Sequence, residues 1–138
     1  PAKTHDCEAL AVEPDANRAL LVAKTWWGSA PVFSVSLSAG SRVRVAEPLG
    51  SIPVSWATAG SMSVDGRRLL VGTYGAAYLY RRGVGEPWAT ALRRSPERIE
   101  LPVRPQGEGA AFSTDGRFIF ACSEGAHTVL WRVPIAAP

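Results

Sequence analysis

Three stretches of this chain share one design, and that recurrence limits the possible folds more than any single residue does. Laying Asp115-Gly116-Arg117 over Asp65-Gly66-Arg67 puts Phe112 on Met62, Ser113 on Ser63 and Gly125 on Gly75. A second shift of the same size lays Asp15 on Asp115, Val12 on Phe112, Ala11 on Ala111 and Glu8 on Glu108, with an extra residue expected in the turn at residues 15–18. A recurrence of tens of residues, with several short strands per unit, is the signature of propeller blades rather than of helical solenoids.

Each copy runs from a strand of small and β-branched residues, through an Asp-bearing turn, into an apolar strand. A glycine-bearing loop and an aromatic-rich third strand follow. The second strands, Ala19-Leu20-Leu21-Val22-Ala23, Leu69-Leu70-Val71-Gly72-Thr73 and Phe118-Ile119-Phe120-Ala121-Cys122, are unbroken apolar runs too short for typical helices. Such runs suit strands covered on both faces, as the middle of a blade between two neighbours is. The third strands, near residues 32–37, 77–81 and 128–133, alternate more clearly and read as half exposed. The expected fold is all-β, a β-propeller portion of three four-stranded blades. The 138 residues form a single portion with repeats at about 5–50, 51–102 and 103–138.

The outer strand of the first repeat is expected at residues 42–46, before Pro48-Leu49-Gly50. In the second repeat it falls either at residues 88–92 or near Ile99-Glu100-Leu101-Pro102. After the third strand of the third repeat, too little sequence follows for a fourth. A propeller needs at least four blades to close, and three are present here. The expected whole is a ring of roughly six blades, completed by a missing propeller half or by a second copy of the chain. The start, Pro1-Ala2-Lys3, reads as processed or truncated.

Fifteen basic and twelve acidic residues leave a net charge of +3, spread over Arg-Arg pairs such as Arg67-Arg68 and Arg81-Arg82. No stripe interleaves basic and aromatic residues, so no nucleic-acid partner is expected and the arginines read as solvated turns and outer strands. No apolar run is long enough for a membrane span. Cys7 and Cys122 have neither zinc nor redox spacing and read as buried free thiols. In the loop Thr25-Trp26-Trp27-Gly28, two adjacent indoles cannot share one face of an extended chain, which makes Trp26 and Trp27 candidate partner contacts.

With these units in hand, the chain resembles a family of uncharacterised bacterial β-propeller proteins, related in style to phytase-like and esterase-like propellers. The segments that carry the likeness are Asp6-Cys7-Glu8-Ala9-Leu10 with Val12-Glu13-Pro14, and Thr58-Ala59-Gly60-Ser61 with Ser63-Val64-Asp65-Gly66-Arg67-Arg68. The third is Gln106-Gly107-Glu108-Gly109 with Phe112-Ser113-Thr114-Asp115-Gly116-Arg117. The chain corresponds to the C-terminal half of such proteins, and Ser61 stands where the family has an aspartate. The resemblance implies a periplasmic or secreted location.

Function divides into two classes. The first is a non-catalytic binding or interaction module that uses its loops, with a ligand or metal site at the central channel as its sharper form. Glu8 and Glu108 hold equivalent inner-strand positions and Thr58 the third, with Asp6 and His5 just ahead of Glu8. Calcium takes six to eight oxygens, and these groups with others from absent blades would supply them. The competing reading of each glutamate is a hydrogen-bonded or ion-paired residue at the channel mouth. The second class is a calcium-assisted ester or lactone hydrolase of the channel-centred type. No serine-elbow pattern accompanies His127.

Overall fold

The computed structural model describes residues 4–14, 16–38, 40 and 43–136. They form three antiparallel sheets in chain order. The first comprises β1 (Cys7–Glu13), β2 (Arg18–Ala23), β3 (Ala30–Ser36) and β4 (Glu47–Ile52). The second comprises β5 (Ala59–Met62), β6 (Arg68–Gly72), β7 (Ala76–Arg81) and β8 (Glu97–Glu100), with the one-turn helix α1 (Trp88–Ala91) between the last two strands. The third comprises β9 (Gly109–Phe112), β10 (Phe118–Cys122) and β11 (Trp131–Pro134), three strands among the described residues. Strand order within each sheet follows the chain, and β1, β5 and β9 lie side by side, so the sheets are successive blades of a propeller. Among the described residues no helix is long and apolar enough to cross a membrane.

The repeated turn has a specific chemistry. Ser63 Oγ donates to Asp65 Oδ1 at 2.5 Å and accepts from Arg68 N–H at 2.9 Å, while Asp65 Oδ1 also accepts from Arg67 N–H at 3.1 Å. Ser113, Asp115, Arg117 and Phe118 repeat the network at 2.6, 3.0 and 3.0 Å. Gly66 and Gly116 both sit at φ 65°, where a side chain is strained. The three hairpins pair Val12 with Ala19, Met62 with Leu69 and Phe112 with Ile119, so the turns are equal in length. The extra residue expected in the first turn is therefore absent. Asp15 of that turn lies outside the described residues.

Strand alternation assigns each side chain to one neighbour or the other. Ala9, Ala11, Leu20, Val22 and Val32 of the first blade meet Leu69, Val71 and Tyr80 of the second, with Trp88, Ala91 and Leu92 of the helical segment closing the rim of that core. Leu70 and Ala77 face Ile119 and Ala121 of the third blade in the next core. Leu10 and Val12 are 52% and 48% exposed, because their face of β1 looks toward the place of a preceding blade.

Several boundaries differ from the sequence expectation. The outer strand of the first blade is Glu47–Ile52, not residues 42–46. Val43 and Val45 are exposed, and Pro48 is accommodated because an outer strand needs no second ladder. Arg42 lies outside the described residues. In the second blade the β8 segment is the outer strand and residues 88–91 are helical. Strand β7 is mostly buried rather than half exposed. Cys7 is exposed and Cys122 only partly buried, both free thiols on the faces without a neighbouring blade.

The Arg-Arg pairs also differ from a solvated surface. Arg68 is 4% exposed and donates to the Gly116 carbonyl of the next blade at 2.8 Å. Arg82 donates to Gly66 O at 2.8 Å and pairs with Glu13 at 2.5 Å. Arg104 bonds the carbonyls of Thr73, Tyr74, Gly109 and Cys122, and burial pulls its guanidinium below the ordinary arginine range. Arg68 and Arg104 tie blade to blade by satisfying backbone oxygens that would otherwise be buried alone, and Arg82 does so through the Glu13 carboxylate.

Candidate functional site

The topology gathers one set of loops at one end of the blades, the mouth. Inner strands begin there, at Cys7, Ala59 and Gly109, and second strands end there, at Ala23, Gly72 and Cys122. The loop after β2 carries Lys24, Trp26 and Trp27, the segment before β5 carries Ser55 and Trp56, and the β6–β7 loop carries Tyr74.

These residues form a connected aromatic row. Trp26 meets Trp56 edge-on with ring centroids 4.3 Å apart, and Trp56 meets Tyr74 at 5.8 Å. Lys24 Nζ donates to Tyr74 Oη at 2.9 Å and to Glu8 Oε1 at 3.1 Å. Its ammonium lies 5.2 Å from the Tyr74 ring centroid. The Tyr74 hydroxyl first, and the Glu8 carboxylate second, hold the Lys24 pKa above the ordinary lysine range. Beside the row lies an open cleft of ≈ 530 Å³ lined by Trp56, Tyr74 and Tyr78 with Pro53, Ser55, Thr73 and Gly75. No charged side chain lines it.

Trp56 is held at φ 61°, a rare conformation for a bulky residue. Two bonds fix it there: Trp56 N–H donates to Thr25 O at 2.8 Å, and Ser55 Oγ donates to Gly28 O at 3.0 Å. The loop of the first blade thus positions an indole that begins the second. Both indoles of the adjacent pair are exposed, Trp26 at 63% and Trp27 at 85%.

The candidates from the sequence are only partly brought together. Glu8 is ion-paired with Lys24, its Oε2 lying 2.9 Å from Nζ. Thr58 is buried, and its hydroxyl donates to Gly107 O at 3.0 Å, tying the second blade to the third. Glu108 is half-buried at the entry to β9, and Asp6 is exposed, its carbonyl accepting from Lys24 N–H at 2.7 Å. His5 lies against Phe33 with ring centroids 4.7 Å apart and the rings tilted at 51°, on the uncovered face of the first blade. Among the described residues no three His, Cys, Asp or Glu side chains come together as a metal-holding group. Trp56, Tyr74 and Lys24 were not singled out in the sequence. The tryptophan-rich loop was a signal for the site, but the other members come from three separate segments: Lys24 after β2, Trp56 before β5 and Tyr74 between β6 and β7.

Two solved structures share this arrangement of sheets. A eukaryotic initiation factor superposes with a TM-score of 0.58 at 12% identity, covering 97% of this chain and 32% of that one. TolB from Acinetobacter baumannii superposes with a TM-score of 0.55 at 20% identity, covering 94% of this chain and 30% of that one. At these identities the likeness shows the fold alone, and the chain spans about a third of each structure's length. No protein-family model and no curated protein matches the chain.

Proposed function

We propose that this propeller portion is a non-catalytic interaction module whose mouth takes a protein partner on the row Trp26, Trp56 and Tyr74, with Trp27 at its edge. It works as part of a larger ring, completed by a missing propeller half or a second copy, of the kind found in the uncharacterised bacterial propellers that the sequence resembles. The observation that carries the reading is the aromatic row beside a neutral cleft, with Trp56 kept in a strained backbone conformation. Strain of about 1–3 kcal/mol is retained where surrounding structure enforces it, and such positions cluster at binding sites. Tryptophan and tyrosine dominate protein-binding hot spots because they bury large area at small entropic cost. A sugar ligand fits less well, since the cleft offers no charged or amide side chain to grip ring hydroxyls.

The channel reading, calcium with or without ester or lactone hydrolysis, gains less from the geometry. The Glu8 charge is already neutralised by Lys24, and the Thr58 hydroxyl is committed to a backbone carbonyl. The test is selection of phage-displayed peptides on the whole chain, with calcium titration by calorimetry alongside. Selected peptides should lose at least about tenfold in affinity on Trp26→Ala or Trp27→Ala, and nothing on Val43→Ala. Binding indifferent to both tryptophans, or calcium binding abolished by Glu8→Gln and Glu108→Gln, would move the function to the channel.

A further inference from the structure

The two internal blade junctions follow one steric rule. At the first, a β-carbon added to Gly60 would lie 2.8 Å from the backbone N, C and O of Leu10, so β1 and β5 approach backbone to backbone. At the second, a β-carbon on Gly72 would lie 2.9 Å from the Ala110 β-carbon. Strand pairing makes Leu10, Gly60 and Ala110 equivalent, all facing the preceding blade. It likewise makes Val22, Gly72 and Cys122 equivalent, all facing the following one. Each internal junction therefore has one glycine at its close approach: Gly60 against the Leu10 backbone, and Gly72 against Ala110.

A ring of two copies would set Leu10 of one chain against Cys122 and Ala110 of the other. Leu10 stands where the internal junctions have Gly60 and Ala110, and the space over Gly109, the glycine paired with Cys122, is already taken by the Cys122 sulfur. The arginine clasp is missing as well, because Phe118 occupies the position from which Arg68 bonds the next blade's turn. At the rim the mismatch reverses. The first junction is filled by Ile52 and Val54, from the outer strand and the link after it. The third sheet lacks an outer strand among the described residues, so a second copy would leave empty the apolar cavity of ≈ 480 Å³ lined by Leu21, Phe33, Val45 and Pro48.

We propose that the uncovered face of the first blade receives a blade of different sequence, from another segment of polypeptide, and not a second copy of this chain. That blade carries glycine and a recessed inner strand opposite Leu10, and bulky apolar side chains from a complete outer strand to fill the cavity over Phe33. The β-bulge between Cys7 and Ala9, immediately before Leu10, fits a junction spaced more widely at the mouth. The inference rests on the reading that the chain is part of a larger ring.

Sedimentation velocity on the whole chain tests it, with thermal melts to show that each variant folds. The wild type should form no discrete two-fold dimer. Leu10→Gly/Cys122→Gly, which gives the self-junction the small residues of the internal ones, should associate at least about tenfold more tightly, and Leu10→Ala should show a smaller gain in the same direction. A wild-type dimer with Cys7 and Cys122 both shielded from a thiol reagent would overturn the proposal, as would a double variant that associates no better than wild type. Failure of the ring reading looks different: a wild-type monomer in which Leu10 and Val12 are as shielded as Leu20.

Discussion

The carboxylate of Glu13, at the end of the first inner strand, lies 2.5 Å from the Arg82 guanidinium of the second blade. Arg18 of its own hairpin holds the other oxygen at 2.6 Å, and Glu13 is 4% exposed. Removing this carboxylate strands two guanidiniums at a blade junction. Glu13→Gln should therefore destabilise the fold by about 3 kcal/mol, the scale for breaking a buried pair from one side. Arg81→Ala, which breaks the half-exposed pair with Glu97, should cost less than about 1 kcal/mol. Urea denaturation of both variants checks the contrast.

Gly60→Ala should cost about 1–3 kcal/mol, because the atoms it meets are backbone and cannot rotate away. Gly75→Ala, with open space around its α-carbon and no positive φ, should be neutral or slightly stabilising. Equal melting temperatures for the two variants would contradict the close approach of β1 and β5.

Tyr80 is buried with its hydroxyl unpaired among the described residues, and burial drives its pKa well above the ordinary tyrosine range. An unpaired buried hydroxyl is a cost, so Tyr80→Phe should leave stability unchanged or raise it by up to about 1 kcal/mol. A loss of more than that, measured by denaturant titration, would mean the hydroxyl has a partner in solution.

The pH response follows from Glu86, whose carboxylate is held down to about 2 by Arg94 first and the Gly83 N–H second. A depressed carboxylate adds stability that is complete above its ordinary value of 4.5 and is lost as pH falls toward 2. Asp65 and Asp115, both lowered by their serine partners, act in the same direction. Glu86→Gln should flatten the loss of melting temperature between those two pH values. An unchanged acid slope would show that the Arg94 pair does not persist in solution.

The hairpins were legible because each carries its own local chemistry. Ser63-x-Asp65-Gly66 and Ser113-x-Asp115-Gly116 close the same network wherever they occur, and the apolar runs after them must be covered on both faces. The rim was not legible, because an outer strand has only one partner and tolerates Pro48 and Gly50, which read as a turn. Arg68 and Arg82 were misread as solvated, since only the neighbouring blade shows that they reach the Gly116 carbonyl and the Glu13 carboxylate. At the mouth, Trp26 and Trp27 stood out by type. The partners Trp56 and Tyr74 come from sequence-distant loops that only the packing of blades brings together.

The central claim is that the chain is an arc of three blades with an uncovered apolar face at each end. Carbene footprinting with mass spectrometry on the monomeric fraction measures this directly, because it reports the solvent access of individual side chains. Leu10 and Val12, 52% and 48% exposed, should label heavily, and Phe118 and Phe120 on the opposite uncovered face should label detectably. Leu20, Leu70 and Ile119, each 0% exposed, should stay unlabelled. A monomer in which Leu10 and Val12 are as protected as Leu20 would contradict the arc and mean that the chain closes on itself.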